Sequence, residues 1–78
     1  MTKSQLLYQA LEAKYEAQIA EAKATLAIYF ESSVGIGEHP QHLEEMDKFV
    51  TQLTDAQDKL ETLKKLPNVK PDNSFNPF

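Results

Sequence analysis

Two histidines, His39 and His42, stand three residues apart in the stretch VGIGEHPQH, residues 34–42. That is about one helical turn, the spacing of paired metal ligands, and Glu38 and Glu45 are the carboxylates near enough to complete a set. The same stretch holds both glycines of the chain, Gly35 and Gly37, in a Gly-x-Gly order that can cradle phosphate. Neither set is complete. A metal site needs a third and a fourth ligand, and a dinucleotide fingerprint needs a preceding strand, whereas the residues before Gly35 read as helix. The stretch therefore reads as a corner.

The rest of the chain offers little more to chemistry. It contains no cysteine, which removes disulfides, thiolate metal sites and cysteine nucleophiles together. No Ser/His/Asp or Cys/His arrangement is present, and no two-histidine helical metal motif with a catalytic glutamate. Tyr8, Tyr15 and Tyr29 fall on one helical face, a pattern of core residues more often than of catalysts. The expectation is a protein that is not an enzyme, with no catalytic residue, metal or cofactor.

The elements that position these residues are two helices. Thr2 can cap the first, with Gln5 reciprocating three residues later as a capping box. No Gly or Pro interrupts the chain from there to Ser33, and Tyr8, Leu11, Tyr15, Ile19, Leu26 and Tyr29 recur at three- and four-residue spacing, with Ala22 in a gap. This predicts a helix over about residues 3–33, roughly 45 Å long. Pro40 suits the first turn of a second helix over about 40–66, since a missing amide hydrogen costs nothing there. Its apolar series is Leu43, Met46, Val50, Leu53 and Leu60, interrupted by Gln57 and broadened on one side by Phe49, Ala56 and Leu63. Pro67 ends it. Between them Gly35 is placed to take the left-handed conformation of a helix C-cap, and Ile36 to fold back onto Phe30. A corner of residues 34–39 makes the helices antiparallel neighbours. The predicted fold is all-α: a coiled-coil-like antiparallel hairpin over residues 1–66 and an extended tail over 67–78.

The segment VGIGEHPQHLEEMDKFVTQLTDAQDKLETLKK, Val34 to Lys65, resembles a recurring segment of small, mostly uncharacterised helical-hairpin proteins of tailed bacteriophages related to the T-even myoviruses. The resemblance covers somewhat under half of the chain. It implies a phage origin and a helical hairpin, and it transfers no catalytic residue.

A second seam runs along the first helix. Leu6, Ala10, Ala13 and Ala17 are followed by Ala20, Ala24 and Ala27, an unbroken alternation of three- and four-residue steps. Alanine is the best helix former and could be present for propensity alone, but scattered alanines would not hold register over so many steps. The stripe lies nearly opposite the tyrosine face and predicts a contact surface, through which the hairpin pairs into a homodimer, a four-helix bundle.

The tail PNVKPDNSFNPF is too rich in Pro and Asn for regular structure. Phe75 and Phe78 are costly to leave in water, so Phe75, Pro77 and Phe78 are candidate docking residues. They could dock on the protein's own open end near Leu7, Leu63 and Val69, or on a partner; a loose terminus is the third reading. Pro77–Phe78 resembles the Pro-Phe end of bacterial single-stranded-DNA-binding proteins, although only Asp72 stands where those tails carry several acids.

Charge and length bound the function. Seventy-eight residues make one small domain with marginal stability from its own packing, which favours a partner or a second copy. Eight lysines, no arginine and 12 acidic residues give a net charge of −4, with lysines and glutamates interleaved along the helices. That is a solvated face rather than the basic stripe of a nucleic-acid binder, and it is weak for an acidic mimic of DNA. No apolar run approaches a membrane span, and Gln5, Gln9 and Glu12 interrupt any signal-peptide core. The chain thus reads as soluble, in the host cytoplasm or, alternatively, in a virion. The leading function class is an interaction module that binds and modulates a host or phage protein of unknown identity. The alternative is a capsid or tail accessory component.

Overall fold

The computed structural model describes residues 1–31 and 41–67. Two helices account for nearly all of them: α1, Lys3–Glu31, and α2, Gln41–Lys64. The fold is an all-α helical hairpin.

Local chemistry sets the helix ends. The Thr2 amide donates to Gln5 Oε1 at 3.0 Å, and the Gln5 amide donates to Thr2 Oγ1 at 3.1 Å. This reciprocal capping box satisfies two donors that the first turn of any helix leaves open. At the far end of α2, the Lys65 amide donates to the Thr62 carbonyl and the Leu66 amide to the Leu63 carbonyl, at 3.0 and 3.1 Å. These three-residue spans tighten the last turn, so α2 stops at Lys64, two residues before the expected end. Pro67 then has no amide hydrogen to continue it. Glu44 in the first turn of α2 and Lys64 in the last complement the helix dipole.

The helices run antiparallel. Tyr29, late in α1, meets His42 and Phe49, early in α2, with ring centroids 5.5 and 6.4 Å apart. Further along, Lys59 Nζ lies 6.0 Å from the centroid of the Tyr15 ring, and Tyr8 and Leu63 line one groove. The principal extents of 53 × 19 × 16 Å are those of two helices lying side by side.

Two helices share only one interface, and burial is correspondingly thin. Tyr8, Ala22, Ala56 and Leu63 are buried. Tyr15, Ile19, Leu26 and Tyr29 from α1, and Met46, Phe49, Leu53 and Leu60 from α2, are half-buried. The α1 face is the predicted one, except that Leu11 is exposed. The α2 face is shifted from the expected one. Leu43 and Val50, read as part of the main seam, are exposed, whereas Ala56 and Leu63, read as its edge, are buried. The reason lies in the seven-residue rows. The row 43–50–57 ends in Gln57, whose amide keeps water, while the row 49–56–63 carries Ala56, small enough to let α1 come close.

Candidate functional site

At about 100° per residue, Leu6, Ala10, Ala13, Ala17, Ala20, Ala24 and Ala27 lie on one side of α1, roughly opposite Tyr8, Tyr15 and Ala22. Among the described residues nothing covers this side: every one of the six alanines is exposed, and so is Leu6. Two large apolar residues outside the predicted stripe flank the same surface. Leu7 and Ile28 sit at its two ends and are 66% and 63% exposed. Each follows an alanine- or leucine-bearing stripe position by one residue, the signal that could have placed them. α1 is therefore apolar on two opposed faces, one covered by α2 and one bare.

Charged residues flank the bare face in two rows seven residues apart. Lys14 and Glu21 follow stripe positions on one edge; Glu16 and Lys23 precede stripe positions on the other. Among the described residues both ion pairs lie within the C-terminal half of the hairpin, Lys48 with Glu45 at 2.9 Å and Lys65 with Glu61 at 3.5 Å. No ion pair among the described residues involves the four flanking charges. Glu21 is held instead by a neutral donor. Gln52 Nε2 reaches across from α2 and donates to Glu21 Oε1 at 2.8 Å and to the Gln18 carbonyl at 3.0 Å.

The open end of the hairpin carries a second apolar surface. A groove of ≈ 200 Å³ is lined by Ser4, Leu7, Tyr8, Leu11, Leu63 and Leu66. It adjoins one of ≈ 290 Å³ that extends past Tyr15 to Lys59 and Asp58. Burial raises the Tyr8 hydroxyl above its usual pKa of 10.0, and the carboxylates of Glu12 and Glu16 raise it further. The groove is shallow and apolar, with no converging set of acids, bases or nucleophiles.

The residues first singled out for metal chemistry divide. His42 is half-buried with its ring edge-on to Tyr29, and Glu45 pairs with Lys48. Glu38 and His39, with the Gly35, Ile36 and Gly37 corner and Pro40, lie outside the described residues, as do the tail residues Phe75, Pro77 and Phe78. Among the described residues no helix is long and apolar enough to cross a membrane.

No known family claims the chain. No protein-family model matches it, and neither a curated protein nor a solved structure shows significant similarity to it.

Proposed function

We propose that this chain is a non-catalytic interaction module whose outward α1 face is covered by another protein helix. On the resemblance of residues 34–65, it is an accessory protein of a tailed bacteriophage that binds and modulates a host or phage protein.

One observation carries the reading. Among the described residues the hairpin buries four side chains, two of them alanines, and leaves Leu6, Ile28 and the alanine stripe in water on the helix surface pointing away from α2, with exposed Leu7 at its edge. A surface helix of a self-sufficient domain is apolar on one side only, and a contiguous bare apolar face marks an interaction surface. The shape of the face narrows its partner to a helix, because alanines at alternating three- and four-residue steps let a second helix backbone approach closely.

The test is capture from infected cells with the full chain and with Ala17→Glu and Ala20→Glu variants. A charge in the middle of the stripe should abolish capture of the specific partner while circular dichroism stays helical. Capture by both variants at the wild-type level would remove the α1 face from the reading. Copurification with intact particles would mark the chain as a virion component instead.

A further inference from the structure

We infer that the occupant of the bare α1 face is a second copy of this chain, paired antiparallel with α1 against α1 and centred between Ala17 and Ala20. This rests on the reading of that face as a helix-docking surface and adds the identity, direction and register of the partner.

Direction follows from charge. In an antiparallel pair of heptad helices, residues that follow the seam face their own counterparts on the other helix, and so do those that precede it. Centring the pair between Ala17 and Ala20 stacks Ala10 on Ala27 and Ala13 on Ala24 of the other copy. Lys14 then faces Glu21 of the second copy, Glu16 faces Lys23, and a two-fold axis repeats both pairs. All four contacts join opposite charges. A parallel pair would instead set residues that precede the seam against those that follow it. Glu16 would meet Glu21, a like-charge contact, and Lys23 would meet the apolar Ile28. The charge order fits one direction.

The apolar ends agree. In the antiparallel register Leu7 of one copy meets Ile28 of the other, while Leu6 lies opposite Glu31, the last residue of the second α1. Leu7 and Ile28 are among the most exposed large side chains of α1, and pairing covers them at both ends of the contact. Gln52 of the same hairpin occupies Oε1 of Glu21, so it is the other carboxylate oxygen that meets Lys14 of the second copy.

The architecture also differs from a four-helix bundle. α2 covers α1 on the side opposite the stripe, so self-pairing through α1 sets the four helices in a row, α2–α1–α1–α2. A closed bundle would need both helices of one hairpin to present apolar residues toward a common axis.

Sedimentation equilibrium of the full chain from micromolar to millimolar concentration tests this, using wild type, Glu16→Lys, Lys23→Glu and the double swap. Glu16 and Lys23 are exposed and outside the α1–α2 interface, and circular dichroism checks that each variant stays helical. The wild type should dimerise. Each single reversal turns two attractive contacts into repulsive ones and should weaken the dimer on the order of tenfold, and the double swap should restore it. A wild type that stays monomeric throughout would overturn self-pairing and leave the module to a different helical partner, which the capture experiment reads separately. A dimer strengthened by Glu16→Lys would overturn the antiparallel direction, because a parallel pair gains a Lys–Glu contact there. A dimer indifferent to all three variants would overturn the register.

Discussion

Gln52 joins the two helices through its side-chain amide, which donates to a backbone carbonyl and a carboxylate of α1. Both acceptors lie near the middle of the interface, so the bond disfavours sliding one helix past the other by a turn. Gln52→Ala should cost about 1 kcal/mol in urea unfolding, the net worth of such bonds when the orphaned acceptors can regain water. Tyr8 makes a different prediction. Its folded-state pKa is raised by burial and by Glu12 and Glu16. A raised folded value means that its contribution to stability is fully present below the ordinary 10.0 and is lost as pH rises through the folded value. Melting temperature should fall as pH rises from 10.0 through the folded value, and Tyr8→Phe should flatten the fall. An unchanged alkaline limb in the variant would assign it to lysine deprotonation instead. Lys48, raised mainly by its bond to Glu45, follows the same sign.

Helix α1 holds its length because nothing within Lys3–Glu31 breaks it and a capping box starts it. Its two apolar faces differ in kind. The inner face is built of bulky residues around Ala22, which is fully buried, and the outer one is almost all alanine. Ala22 is the point where α2 allows no extra volume. Ala22→Leu should therefore cost about 1–3 kcal/mol by forcing the helices apart, read as a lower urea midpoint. α2 behaves differently, since its half-buried residues are larger and its exposed flank carries Leu43 and Val50. That flank is not opposed to the interface as the alanine stripe is, and it presents only two large residues, too few for a seam.

For the whole molecule, the decisive quantity is how little one hairpin buries. Ordering the backbone costs about 1–2 kcal/mol per residue, and a single interface between two helices rarely offsets that in a chain this short. A second copy on the bare face would change the balance by mass action. The melting temperature should then rise with protein concentration, and Ala17→Glu should make it concentration-independent and lower. Melting that is independent of concentration in the wild type would place the stability in the isolated hairpin.

The two helices were legible in the residues alone. Helix periodicity and the Thr2–Gln5 capping pair are local signals, read within a few residues, and the structure shows them directly; α2 ends at Lys64, shortly before Pro67. The tyrosine face and the alanine stripe were legible for the same reason, because a helix turns a spacing into a direction. Which of several adjacent rows meets the other helix emerged only from packing. On α2 three rows seven residues apart were all largely apolar, and periodicity ranks them by hydrophobicity. Packing ranked them by fit, burying Ala56 and Leu63 and leaving Leu43 and Val50 in water. The bond from Gln52 and the open-end groove likewise depend on residues more than 30 positions apart, which meet only once the antiparallel register is set. A spacing along one helix cannot specify that register, because it is a property of two helices in contact.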